Sequence, residues 1–383
     1  MKILNICVNG IYTDYMSYHE NLLPKFHKLN GNDVFVLTSQ YCFDENGIPI
    51  KADKNEYVDN HGVKIKRLKI KGDKDISYKF KKFVNFYEEI GKIKPDIIFC
   101  HLFQFLDAYK VLKYQKKHPE VTLYFDSHAD YSNSATTWLS KHVLHGLVWR
   151  LLAKKALSRC TKFYGVLPSR VEFLKERYKL SSEKIELLPM GADDDLVKKY
   201  SDKQIIENER IKLGYSDSDF IIAFGGKIDS SKKQVLDLMK AVASLDNKVK
   251  LLIFGSVEDD LKEEFNLLLK CERIKYLGWL NSEESYPIFS CCNLACFPGR
   301  HSVFWEQVIA QGIPLLVKYW EGIQHIDLGG NVRYLYEDSE KEIRNQLLMI
   351  LDKSCYENMK KAALSQKKDM FLYSRLAKKS IEE

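Results

Sequence analysis

Two lysines stand five residues apart in GGKIDSSKKQ, the segment that follows the apolar run FIIAFGG (220–226). Gly225 and Gly226 leave room for an anion to approach the backbone, and Lys227 and Lys232 could neutralise a diphosphate there without a metal. The plainer alternative is that Lys227, Lys232 and Lys233 form a solvated helix start. A second constellation lies in FPGRHSVFWEQVIAQGIPLLV (297–317). Ser302 is placed to cap a helix whose first amides, at Val303, Phe304 and Trp305, form an anion site; Gly312 ends that helix and Pro314 prevents its continuation. Glu306 falls one turn from this positive end. A carboxylate repels phosphate, so a neutral diol such as a ribose is its expected partner. Otherwise Glu306 merely complements the helix dipole. Among the histidines, His128 stands out at the end of TLYFDS, between Asp126 and Asp130, with His19, His101 and His325 as further candidates. His142 and His145, on the long stretch 138–160, are expected to be solvated or interfacial.

These residues need rigid strands behind them. KILNICV (2–8), DVFVLTS (33–39), DIIFC (96–100), TLYFDS (122–127), KFYGVL (162–167) and KIELLP (184–189) are short apolar runs without alternation, each separated from the next by a loop or helix. That pattern predicts parallel strands covered on both faces. After the polar stretch 201–219 it begins again with FIIAFGG (220–226), KLLIFGS (250–256), IKYLG (274–278), LACFPG (294–299), IPLLV (313–317) and VRYLY (332–336). Two α/β units are expected to meet near residues 190–215, with ligands beyond the carboxyl ends of the strands.

Composition narrows the classes. A chain of 383 residues, 45% hydrophobic, is long enough for two cores. Its net charge of +7 comes from scattered lysines and not from a dense arm, which speaks against nucleic acid and suits anionic ligands or an anionic membrane face. The nine cysteines show no CxxC and no paired ligand spacing, so buried free thiols in a reducing compartment are expected. MKILNICVNG has too short an apolar run for a signal peptide, and Lys141, Arg150, Lys154 and Lys155 argue against a membrane span over 138–160. A soluble, cytoplasmic protein is the expectation, with membrane contact only at a surface. Neither half shows GxGxxG with a following acidic residue, which excludes a nucleotide-dependent oxidoreductase.

Nearly the whole chain resembles the family 4 glycosyltransferases of the GT-B fold, in which two Rossmann-like parallel-sheet domains face a nucleotide-sugar cleft. EQVIAQGIPLLV (306–317) is similar to the end of that family's Glu-x7-Glu motif, which places Glu306 as its ribose-binding glutamate; Pro298 stands where the first glutamate would be. Lys227 and Lys232 occupy the positions of the family's Arg and Lys. NGIYTDYMSYHENLLPKFHKLNGNDVFVLTS (9–39), KPDIIFCHL (94–102) and YFDSHADY (124–131) resemble its first-domain segments. The resemblance implies donor contacts at Gly10, Gly226, Lys227, Lys232, Trp279, Arg300, His301, Ser302, Val303, Phe304 and Glu306, and His128 as the sugar-facing histidine. It implies no metal and no cofactor, so Asp193, Asp194 and Asp195 are expected to be structural.

It further implies domains at 1–195, for the acceptor, and 196–366, for the nucleotide-sugar, with a helix at about 367–383 packing back on the first. The expected reaction moves a hexosyl group, with retention, from a nucleotide-sugar such as a UDP-sugar. Lys227, Lys232 and the helix start would stabilise the departing diphosphate. The expected acceptor is a saccharide or lipid-linked saccharide of bacterial surface polysaccharide or glycoconjugate biosynthesis. Lys-rich 77–94 and the helix 138–160 could rest on anionic lipid or simply pack on their own sheet. A sugar-nucleotide epimerase and a non-catalytic sugar-nucleotide binding protein are the alternatives.

Overall fold

Strands buried on both faces must be apolar throughout and must be joined by helices that cover them. In the computed structural model, which describes residues 1–44, 47–72, 74–78 and 80–382, the chain divides into two compact units, 1–189 with 373–383 and 190–372. Position 79 of the basic stretch and position 383 of the expected terminal helix lie outside the described residues.

The first unit contains β1 (Lys2–Cys7), β2 (Asp33–Ser39), β3 (Tyr41–Phe43), β4 (Pro49–Lys51), β5 (Glu56–Val58), β6 (Lys64–Leu68), β7 (Ile97–Cys100), β8 (Thr122–Ser127), β9 (Lys162–Gly165) and β10 (Ile185–Leu187). Eight of them form one sheet in the order β10-β9-β8-β7-β1-β2-β6-β5, parallel except for β5 against β6; β3 and β4 form a separate antiparallel pair. The second unit contains β11 (Phe220–Gly225), β12 (Val249–Phe254), β13 (Ile274–Tyr276), β14 (Leu294–Phe297), β15 (Leu315–Lys318) and β16 (Val332–Leu335). Their order, β13-β12-β11-β14-β15-β16, is the doubly wound 3-2-1-4-5-6 arrangement.

The order of each sheet reverses at one place, between β1 and β7 in the first and between β11 and β14 in the second. Connections leave such a point in opposite directions and open a crevice at the carboxyl ends of the two strands. Gly226 follows β11 and Ser302 follows β14; Gly10 follows β1 and His101 follows β7. The helix Tyr373–Lys379 returns to the first unit, where the Tyr124 and Tyr164 hydroxyls donate to the Ile381 and Lys379 carbonyls, each at 2.9 Å.

The stretch 138–160 departs from the single helix expected of it. Ser140–Val148 is wound with the wider i→i+5 turn of a π-helix, and an ordinary helix follows over Trp149–Leu157. The Arg177 guanidinium donates to the Lys141 carbonyl inside the wide turn, and a Cβ on Gly146 would lie 2.6 Å from that guanidinium. Inserted donors of this kind are what widen a helix locally. The changed winding buries His145, correcting the expectation of a solvated or interfacial residue, whereas His142 is exposed. Asp193 caps the helix Asp194–Lys199 by accepting the Asp195 amide at 3.0 Å. All nine cysteines are free thiols, and among the described residues no helix is long and apolar enough to cross a membrane.

Candidate functional site

In the second unit the loops after β11 and β14 interlock. Gly226 has φ 130°, a conformation that side chains rarely adopt, and the space in front of its α-carbon is bounded by the Lys232 ammonium and the Ser302 hydroxyl, 3.7 and 3.8 Å from where a Cβ would sit. A Cβ on Gly299 would stand 2.8 Å from the Lys232 α-carbon, so this glycine lets the second loop lie against the first. The Arg300 amide then donates to the Ser231 carbonyl at 3.3 Å. Glycine backbone, a half-buried ammonium and a hydroxyl thus converge on one small space that an anion could enter. Burial lowers the Lys232 ammonium's pKa and the positive charges of Arg300 and Lys227 add to the shift, although Asp229 opposes it. A bound anion would relieve that repulsion.

Lys227 points elsewhere. Its exposed ammonium donates to Glu258 Oε1 at 2.6 Å, which raises its pKa. The helix start also differs from expectation. The helix spans only Phe304–Ala310, and Ser302 itself accepts the Phe304 amide on its hydroxyl at 3.4 Å and the Trp305 amide on its carbonyl at 3.1 Å. Two of the three amides expected to face an anion are therefore already satisfied, because the tight turn folds Ser302 back over them.

Glu306 is completely buried. Its Oε1 lies 3.3 Å from His301 Nε2 and 3.2 Å from His325 Nε2, while its Oε2 is buried with no partner among the described residues. Burial alone would raise this carboxyl; the two imidazoles outweigh it and bring it to about 2. An ionised carboxylate with one committed and one uncommitted oxygen is suited to accept from a hydroxyl. Trp305 packs edge-on against His301, with ring centroids 4.7 Å apart, and so helps hold that imidazole.

The first unit assembles a different cluster. β7 and β8 pair with Cys100 beside Phe125, so the next residues of each strand, His101 and Asp126, stand side by side. His101 Nδ1 lies 3.0 Å from Asp126 Oδ2, and the Leu102 amide donates to Oδ1 at 2.7 Å. His128 Nε2 is 3.7 Å from Oδ1 and His19 Nε2 is 3.9 Å from Oδ2. Burial works against the ionised Asp126, yet His128 and His101 hold its carboxyl well below the usual range. Burial also keeps His19 neutral, with its pKa far below the ordinary value. His19, His101 and Asp126 bring one ligand atom each within 4.8 Å of one another. Their separations suit hydrogen-bonded partners, and a divalent ion would have to displace the 3.0 Å contact between His101 and Asp126.

The structure therefore gathers Gly226, Lys232 and Ser302 with neighbouring Arg300, and separately Glu306 with His301. Lys227 faces Glu258, while Val303 and Trp279 are exposed, 52% and 68%. A Cβ on Gly10 would make only ordinary contact, 3.5 Å from Glu20 Oε1, so no steric reason demands glycine there. His128 stands in the first unit against Asp126. Sequence reasoning missed Asp126 as the hub of three histidines and His325 as the second hand on Glu306. The strand-end positions of His101 and Asp126 were the available signal for the first; His325 was a candidate from its place after a Glu-Gly turn, but nothing local paired it with Glu306.

No protein-family model matches the sequence, and no curated protein matches it. Solved structures do match. Sucrose-phosphate synthase from Thermosynechococcus elongatus aligns with a TM-score of 0.70 at 14% identity, over 99% of this chain and 96% of that one. HepE of Anabaena, in complex with UDP, aligns at 0.69 and 13% over 99% and 98%. UDP-GlcNAc 2-epimerase from Neisseria meningitidis, bound to UDP-GlcNAc, aligns at 0.61 and 12% over 99% and 98%. What is common at such identities is architecture, and that architecture is the GT-B fold of the glycosyltransferases.

Proposed function

We propose that the protein is a glycosyltransferase that moves a hexosyl group from a nucleotide-sugar, most simply a UDP-sugar, to a saccharide or lipid-linked saccharide. The observation that carries this reading is the space at Gly226, bounded by Lys232 and Ser302 at the switch point of the second sheet. The diphosphate is held there, Glu306 accepts from the ribose, and no metal is needed because cationic side chains meet the charge that develops on the leaving group. The glycosyl–phosphate bond breaks, the acceptor oxygen bonds to the anomeric carbon with retention, and its proton passes to the departing diphosphate. His128 positions the sugar or polarises the hydroxyl, with Asp126 orienting it from behind. Peripheral membrane contact is supported by Trp138, Leu139, Leu147 and Leu151, all exposed beside Lys141, Arg150, Lys154 and Lys155. Preference for phosphatidylglycerol over neutral vesicles in co-sedimentation checks it.

Titration with UDP and with a panel of UDP-, GDP- and dTDP-sugars, in EDTA, tests the donor assignment. Lys232→Met should weaken UDP binding about 30-fold, whereas Lys227→Met should change it less than about threefold, because Lys227 is paired with Glu258. Equal losses in the two variants, or binding that requires magnesium, would refute the assignment. The epimerase reading is favoured by one observation, the contact of Glu306 with two histidines. It predicts turnover of UDP-GlcNAc without any acceptor; the transfer reading predicts none.

A further inference from the structure

Beyond the carboxyl ends of β1, β7 and β8 the first unit has an open cavity of ≈ 520 Å³ whose lining includes Lys81, Gln104, His128, Asn133, Ser140 and Trp149. Among the described residues no aspartate or glutamate lines it. The wide turn of the π-helix contributes to this wall, since positions 140, 144, 145 and 149 share one face when the chain is wound at four to five residues per turn.

Lys81 is 6% exposed. Its ammonium donates to the Asn9 carbonyl at 2.9 Å, and among the described residues no carboxylate lies within 4.0 Å of it. An ammonium carries three donors, so one carbonyl does not satisfy it. Burial pushes the group down to about 8, and Asp75 offsets only part of that shift. A buried cation with no counter-ion is costly to fold around, and it is tolerated where a ligand completes the pair. Nothing proposed above for donor binding uses it. In the same wall stands His128, whose Nε2 is buried 3.7 Å from Asp126 Oδ1, and the Asn133 amide fixes its loop by donating to the His128 carbonyl at 2.7 Å. Phe80 and Trp149, with ring centroids 6.4 Å apart, add an apolar surface of the sort that packs on a sugar ring.

We infer that this cavity seats the acceptor by an anionic group, a phosphate or carboxylate carried on the saccharide, with Lys81 as its counter-ion. Lys81 is then a specificity residue and touches no bond that breaks. The assignment of the ligand as acceptor rests on the transfer reading; the anion site itself does not.

The test is calorimetric titration of the whole protein, at constant ionic strength, with glucose 6-phosphate, glucuronate and neutral glucose. Either or both anions should bind at least about tenfold more tightly than glucose, and their ranking distinguishes phosphate from carboxylate. Lys81→Met should abolish the preference, Lys81→Arg should retain most of it, and both variants should bind UDP as the parent does. Glucose binding as tightly as both anions overturns the inference, as does a preference that survives in Lys81→Met. If Lys81→Met does not fold, the parent's preference and its retention in Lys81→Arg decide the matter. Loss of UDP binding by the parent alongside an intact anion preference would overturn the transfer reading and leave the anion site standing.

Discussion

Asp126 in the first unit and Glu306 in the second are both fully buried carboxylates beside histidines, but their oxygens are used differently. Asp126 spends both: Oδ1 takes the Leu102 amide and Oδ2 takes His101, with His19 and His128 just outside hydrogen-bond reach. Glu306 directs one oxygen at His301 and His325 and leaves the other buried and unused. A saturated carboxylate organises its neighbours, whereas a half-satisfied one has an acceptor to offer a ligand. On the proposed reading, the first cluster positions His128 and the second is available to contact the donor.

The strongest way to break this contrast is Asp126→Asn. It withdraws the negative charge shared by His101, His128 and His19, and losing one partner of a buried charged set costs about 3–5 kcal/mol. Urea unfolding should show a loss of that size; a change below about 1 kcal/mol would mean that Asp126 is no hub. Glu306→Gln should act on the ligand instead. UDP affinity should fall about tenfold, ~1.4 kcal/mol, while pyrophosphate affinity stays, because only the nucleotide brings a hydroxyl to Oε2. A matching loss for pyrophosphate would show that Glu306 is felt only through the fold.

The contrast should also show in acid. His27 and His145 are buried, with pKa values brought down by burial to about 3 and about 4 from the ordinary 6.5. The unfolded chain therefore takes up protons below pH 6.5 that the folded first unit refuses, and stability falls as the pH drops through that range. At pH 6 the cost is about 1 kcal/mol per histidine. The Glu306 carboxylate, held at about 2 against 4.5, withdraws its contribution only as the pH falls below 4.5. Hydrogen exchange followed by mass spectrometry should show β7 and β8 losing protection between pH 6.5 and 5 while β11 and β14 keep theirs. Simultaneous loss would contradict the contrast.

Much of the fold was legible because its strands are uninterrupted apolar runs. TLYFDS is β8 residue for residue, and FIIAFGG overlaps β11 to within its last glycine. β6 went unseen because KIKRL carries a buried arginine; Arg67 is accommodated by the Tyr12 and Tyr41 carbonyls, each at 3.0 Å, and by the Tyr57 hydroxyl at 2.8 Å, which no local pattern announces. At the site, the pairing of glycine backbone with Lys232 could be read from the spacing of GGKIDSSKK. That Lys227 turns to Glu258 could not, since its partner lies 31 residues away, beyond the next strand.

Types and short-range spacing, then, were enough to place apolar strands, the glycines after β11 and a carboxylate one turn past Ser302, because burial pattern and backbone freedom are properties of neighbouring residues. Which charges are satisfied was decided only in three dimensions. Parallel pairing set His101 against Asp126, the loop after β15 delivered His325 to Glu306, and the π-helix supplied one wall of the open cavity that Lys81 also lines. Desolvation and hydrogen bonding depend on everything within a few ångströms, and residues far apart in the chain supply most of it.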